Sequence, residues 1–392
     1  MYMSQAIPYN LIETQDDLEH FYRTNKNVAQ LAFDTEFVGE KRYYTLLCLV
    51  QVATEHGFYL IDPLKIKDLR PFLRLLEDPN ILKITHAGEN DYRLLYQNFE
   101  TVPQNVFDTQ VAAGFLGYGY PASFMRLVEG ELEVRLDKGY AVTDWEIRPF
   151  KKKQLEYALN DVYYLDGLFT RLSEQLRKSG RLEWAKSEMK AWELPQYYER
   201  DPDHEALSST LMRDLRLSKQ VFLLRIYRWR RDEAERKNYS KDMILPAKLI
   251  SPILKNIDAG KQTLLDNRTI PNNVIEQQWE HFYRLSKAKP TAEELDTLKK
   301  LPQTISTTSK QDISGELLHV LVKYKCSESG IASSLVFHKS ELVYALPGAD
   351  IFTEGDSDWR KAFLGEALTA LLNRRGELNV QMEGNQIILT MK

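Results

Sequence analysis

Asp34 and Glu36 stand two residues apart in the segment LAFDTEF, between the apolar residues Leu31, Phe33, Phe37 and Val38. That pattern predicts a central β-strand, on which residues i and i+2 emerge from the same face. Two carboxylates on one face of a buried strand are costly to ionise unless a cation lies between them. A divalent metal is the economical answer, because Mg²⁺ prefers oxygen ligands and tolerates several waters. Asp91, in HAGENDYRLL, falls where a strand ends near His86-Ala87 and a helix begins near Asn90. Taken alone it would merely offset the helix dipole. Tyr157 and Asp161, in QLEYALNDVYYL, are four residues apart and share one face of a predicted helix. Alone, they read as an aromatic covering the core edge and a solvated carboxylate. Leu159, Val162 and Leu165 nonetheless put Asp161 at the boundary of the apolar face.

Strands and helices must carry these residues to one place. Residues 31–37, 46–53 and 58–61 read as three short strands, with His56-Gly57 as a hairpin turn between the last two. LRPFLRLLED reads as a helix, ILKITHA as a strand, NDYRLLYQNF as a helix, NVFDT as a strand and QVAAGFLG as helical. One long helix fits Lys151 to Arg177, where apolar residues from Leu155 to Leu172 keep helical spacing. The order implies an α/β fold with a mixed sheet flanked by helices. Asp108, in FDTQ, reads as the cap of the helix that follows it.

The run Asp-x-Glu on a strand, Asp at a strand-to-helix junction and Tyr-x-x-x-Asp on a helix resembles the three motifs of the DEDDy 3′→5′ exonucleases. The segments FDTEF, FDTQVAA, DWEIRPF and QLEYALNDVYYL make the chain similar to the ribonuclease D family over roughly its first 175 residues. The resemblance implies a ribonuclease-H-like fold and two divalent ions, Mg²⁺ or Mn²⁺, held by Asp34, Glu36, Asp91 and Asp161. It gives Tyr157 the task of positioning the attacking water, and nucleoside 5′-monophosphates as products. The implied substrate is RNA, with tRNA precursors or other structured 3′ ends as the class. A DNA-directed exonuclease with the same site and a non-catalytic nucleic-acid-binding scaffold are the alternatives. His86 and Arg148 are further substrate-contact candidates: His86 precedes Asp91 closely, and Arg148 offers a cation for a phosphate.

The domains expected are 1–195 for the exonuclease, 206–290 for a helical module and 310–392 for a second helical domain similar to the C-terminal region of ribonuclease D. Residues 206–290 hold 17 Lys+Arg against 9 Asp+Glu, a balance of +8 in a chain whose net charge is −4. In this module LRLSKQVFLLRIYRWRRDEAERKN sets an apolar surface beside Arg225, Arg228, Arg230, Arg231 and Arg236. It resembles an HRDC domain, which implies auxiliary binding of backbone phosphates. Glu193 to Glu205 reads as a linker and Pro302 to Ser314 as a second joint, while ELNVQMEGNQIILTM alternates like a small hairpin. Cys48 and Cys326 are far apart and outside any CxxC pattern, so neither a disulfide framework nor a zinc site is expected. No secretory signal and no membrane span are read in the sequence, and the loop-like GYGY lacks the setting of a dinucleotide site. A cytoplasmic protein without a dinucleotide cofactor is the expectation.

Overall fold

The computed structural model describes residues 7–136, 143–199, 201–213, 215–301, 308–344, 352, 358–373, 375–383 and 386–391. The chain divides into two compact units, one formed by Met1–Phe37, Leu47–Tyr198 and Ile305–Lys392, the other by Val38–Leu46 and Glu199–Thr304.

The first unit is built on six strands: β1 (Asn10–Ile12), β2 (Gln30–Val38), β3 (Leu46–Thr54), β4 (Gly57–Ile61), β5 (Leu82–Thr85) and β6 (Val106–Asp108). Their order across the sheet is β1-β4-β3-β2-β5-β6. β3 and β4 pair antiparallel, while β1–β4, β2–β5 and β5–β6 are parallel. The sheet is therefore mixed, as the order of elements predicts. Helices α1 (Gln15–Asn25), α2 (Arg70–Glu77), α3 (Glu89–Phe99), α4 (Thr109–Gly114), α5 (Phe124–Leu132), α6 (Lys152–Tyr163), α7 (Leu165–Lys178) and α8 (Leu182–Met189) accompany it.

Cross-strand partners share a face of the sheet. On one face Phe33 packs edge-on against Phe72 of α2 and beside Tyr92 of α3. On the other, Ala32, Ala53 and Ile84 meet Val162 of α6 and Leu165 of α7. Asp34 and Glu36 alternate in phase with Ala32, so they emerge on the face that α6 covers.

Three local expectations are corrected. The helix expected over 151–177 is two helices, interrupted at Tyr164 (φ −94°, ψ −6°). That backbone is close enough to helical for the apolar spacing to run through, so periodicity does not reveal the break. The hairpin turn is Glu55-His56, one residue earlier than expected, because Gly57 (φ +134°) is already paired with Thr54. The stretch read as a linker carries two single-turn helices, Pro195–Tyr198 and His204–Leu207, and Tyr198 is buried. β1 was not foreseen.

The C-terminal helices Ser309–Ser329 and Asp358–Leu372 share one hydrophobic core with the sheet domain: Val322, Cys326, Trp359 and Phe363 belong to the cluster that holds Phe115 and Leu172. The Trp359 ring meets Phe115 edge-on at 4.8 Å, and its indole N–H donates to Glu188 at 2.9 Å. A left-handed Gly365 (φ +75°) interrupts the second helix. The expected hairpin is present as β7 (Leu378–Glu383) and β8 (Gln386–Met391), with the turn residues 384–385 outside the described set. Cys48 and Cys326 are both buried, and neither forms a disulfide.

The second unit is helical, with a core of Val221, Phe222, Leu224, Ile253, Ile275 and Phe282. Its long helix, Leu217–Lys237, places three arginines in internal ion pairs. Arg225 grips Glu294 through two bonds of 2.6 and 2.8 Å, Arg228 pairs with Asp203 and Arg230 with Glu205 and Asp242. Part of the basic charge seen in the sequence is therefore used inside the fold.

Candidate active site

β2 lies between β3 and β5 in the sheet, and Asp34 and Glu36 stand just beyond the Gln30–Ala32 stretch that pairs with β5. Covering helix α6 brings Asp161, and ligand oxygens of Asp34, Glu36 and Asp161 lie within 4.8 Å of one another. Asp91 falls outside that trio but next to it, since its charge raises the pKa of both Asp34 and Glu36. It is presented from the first turn of α3 and is only 6% exposed. Three distant segments thus converge on one acidic floor.

The start of α3 is held by close packing. Ala87 is left-handed (φ +57°), and a side chain on Gly88 would come within 2.5 Å of the Thr85 hydroxyl. Asp108 accepts from the N–H groups of Gln110 (2.8 Å) and Val111 (3.1 Å), so it caps α4 as expected. The same carboxylate also accepts from Gly88 N–H at 2.8 Å, tying the starts of two helices together. The register that aims Asp91 depends on that tie.

Sequence reading missed Thr35, the residue between the two acids. Its hydroxyl donates a hydrogen bond to Asp91 and so links the β2 and α3 motifs. A buried hydroxyl between two carboxylates in FDTEF was the available signal.

Among the described residues, no cation figures among the largest influences on these acids. Burial first, then repulsion from Asp91, Asp161 and Glu36, pushes Asp34 well above the carboxylate range. Burial, then Asp161 and Asp91, raises Glu36 to about 9. Asp91 is raised to about 7, mainly by burial and against the lowering effect of the Thr35 bond. Burial also raises Asp161 to about 7, against a hydrogen bond from Tyr157. Tyr157 is itself driven far upward by burial and by the three nearby carboxylates, so its hydroxyl stays protonated. Asp34, Glu36 and Asp161 are half-buried, and a cluster of oxygen ligands that repel one another there is compatible with a divalent cation, which would offset all of these penalties together.

Trp145 packs beside Tyr157, with ring centroids 6.3 Å apart. Its indole N–H and both amide atoms of Gln51 are buried without a hydrogen-bond partner. Gln51, opposite Leu60 in the register, falls on the same sheet face as the carboxylates. Unsatisfied buried polar groups cost about 1–3 kcal/mol each.

The two remaining candidates lie elsewhere. His86 Nδ1 is 3.0 Å from the Thr109 hydroxyl and its ring packs against Phe124; burial lowers its pKa while Asp108 raises it. Arg148 forks onto Asp62 (2.6 and 2.8 Å), donates to the carbonyls of Trp145 and Cys48, and lies over the Phe150 ring at 3.7 Å. It pins the segment before α6 to the sheet.

A family profile described as 3'-5' exonuclease matches residues 9–177. A curated relative called Ribonuclease D from Nitrobacter hamburgensis is 30% identical over 384 residues, spanning 97% of this chain and 98% of the relative. Another of the same name, from Sphingobium indicum, is 32% identical and spans 85% of this chain and 86% of its own length. The crystal structure of Escherichia coli RNase D superposes with a TM-score of 0.80 at 26% identity, covering 94% of this chain and 99% of that one. A single alignment thus carries the resemblance through the acidic floor and past it, and the chain belongs to the ribonuclease D family of 3′–5′ exonucleases.

Proposed function

We propose that the chain removes nucleoside 5′-monophosphates one at a time from RNA 3′ ends, with Asp34, Glu36, Asp91 and Asp161 holding two divalent ions, Mg²⁺ or Mn²⁺. The observation that carries this reading is the convergence of three carboxylates within 4.8 Å, with Asp91 beside them and, among the described residues, no cation among the largest influences on any of the four. Bound there, the ions supply activation of water and stabilisation of the leaving 3′ oxygen. The protein's own residues supply the rest. Tyr157 donates its hydroxyl proton to Asp161, which leaves its lone pairs to accept from the attacking water and fix its direction. Because its pKa is driven upward, it orients rather than deprotonates. Thr35 holds Asp91, and Asp108 holds the turn from which Asp91 projects.

The RNA preference follows the relatives. The E. coli structure is described as that of an exoribonuclease involved in structured RNA processing. Precursors of tRNA suit that description, and the cytoplasm is the matching location; no described helix is long and apolar enough to cross a membrane. The reading also takes 1–195 as the exonuclease domain, 206–290 as an HRDC-like phosphate-binding module and 310–392 as a second helical domain. In the module, solvent-facing Lys248, Lys255, Lys261 and Arg268 are better placed to meet phosphates than the internally paired Arg225 and Arg230. His86 and Arg148 belong to the substrate side of the proposal, Arg148 acting through the segment it anchors.

The test is incubation of 3′-extended RNA and matched DNA with Mg²⁺ or Mn²⁺, beside Asp34→Asn. Stepwise shortening of RNA from its 3′ end, abolished by the substitution and by EDTA, is the expected result. Equal shortening of DNA would transfer the substrate to the DNA-directed reading. Binding of RNA by both proteins with no shortening by either would leave only a scaffold.

A further inference from the structure

The helix Ser309–Ser329 carries apolar residues on two faces. One face, with Val322 and Cys326, is buried in the core of its unit. The other is bare: Ile313 is 65% exposed, Leu317 49%, Val320 56% and Tyr324 41%. Their spacing of four, three and four residues is the alternating seam of a coiled coil, about 16 Å long at 1.5 Å per residue. Contiguous exposed apolar rows of this kind mark interaction surfaces.

The charges beside the seam select a partner. Placing a second copy of the helix antiparallel sets Ile313 level with Tyr324 of the other copy and Leu317 level with its Val320, so all four positions are filled. In the same register Glu316 flanks the other copy's Lys323, and the two-fold axis repeats the pair. A parallel arrangement would set Glu316 against Leu321, which is buried in its own core, and would form no such pair. Glu316 and Lys323 are both exposed, and the existing Lys339–Glu316 bridge joins side chains more than half exposed, so exchanging it costs little. An isologous contact of this kind closes on itself without forming filaments.

We propose that the Ile313–Tyr324 face is a self-association surface, joining two copies of this chain through antiparallel helices. The seam is short, and the dimer is therefore weak and concentration-dependent rather than obligate. Sedimentation velocity of the full chain over about 1–200 μM reads it directly, an interval that spans micromolar affinities. A monomer–dimer shift is expected, and Leu317→Glu should abolish it while leaving the thermal melt in place. Glu316→Lys and Lys323→Glu should each weaken the dimer by roughly 3–10-fold, and the double swap should restore it. A monomer at every concentration, or a double swap that fails to restore association, overturns the proposal. Because none of these three residues belongs to the acidic floor, loss of the dimer with RNA trimming intact separates this result from the fate of the nuclease reading.

Discussion

Buried charge is handled in opposite ways at the acidic floor of the sheet domain and in the helical unit. Among the described residues of the helical unit, the buried charges meet their opposites: Arg225 with Glu294, Asp203 with Arg228, Arg230 with Glu205 and Asp242. Glu294 ends with a lowered pKa, because the Arg225 bonds and a Thr291 contact outweigh its burial. On the sheet, Asp34, Glu36, Asp91 and Asp161 share one sign, and all four are raised. Paired burial serves the fold. The unpaired, half-buried cluster of one sign is held in place by the surrounding core and, on the proposed reading, serves an incoming cation.

The contrast can be broken most severely at the floor. Asp34→Asn should lower the rate of RNA trimming on the order of 10³-fold or more, since metal-dependent charge stabilisation is worth several kcal/mol. A single-turnover assay reads that loss, and a variant within tenfold of the parent would remove Asp34 from the chemistry. In the helical unit the damage should fall on stability instead. Glu294→Ala strands Arg225 in a buried position and should cost about 3–5 kcal/mol in urea unfolding. A cost below about 1 kcal/mol would show that the pair is as dispensable as a surface bridge.

The pH dependence sharpens the same difference. Glu36 at about 9 and Asp91 and Asp161 at about 7 hold their protons more tightly folded than unfolded. Their contribution to stability is therefore complete below about pH 4, the unfolded carboxyl range, and is lost as pH rises through 7 and then 9. Metal-free protein should melt progressively lower from pH 5 to 9, and Mg²⁺ should restore most of the loss at the alkaline end. Asp161→Asn should flatten that slope, raising metal-free stability at pH 9 by on the order of 1–3 kcal/mol. A slope identical in parent and variant would show that Asp161 is not under strain. Smaller again, Thr35→Val should slow trimming only a few-fold, through a less well-held Asp91 and without loss of RNA affinity. A fall in affinity matching the fall in rate would place Thr35 in binding instead.

The motif residues were readable because each sat in a recognisable local setting: a two-residue period for Asp34 and Glu36, a junction for Asp91, a four-residue helical step for Tyr157 and Asp161. What brings them together was not written locally. The break at Tyr164 keeps helical spacing, so periodicity passes over it. Thr35 and Asp108 act across the fold through single hydrogen bonds, which leave no periodic trace. The arginines of the Leu217–Lys237 helix looked like a phosphate-facing stripe because their partners, Glu294, Asp203 and Asp242, come from other segments of the chain. Charge counts registered the surplus but not its internal use.

Uptake of Mn²⁺ by the metal-free protein, followed by the loss of the free-ion EPR signal, tests directly whether the same-sign cluster is a cation cradle. Two ions bound per chain are expected, with affinity for at least one of them reduced tenfold or more in Asp34→Asn. Parent protein that leaves the free-ion signal unchanged, or that binds Mn²⁺ as well after Asp34 is neutralised, would contradict the account.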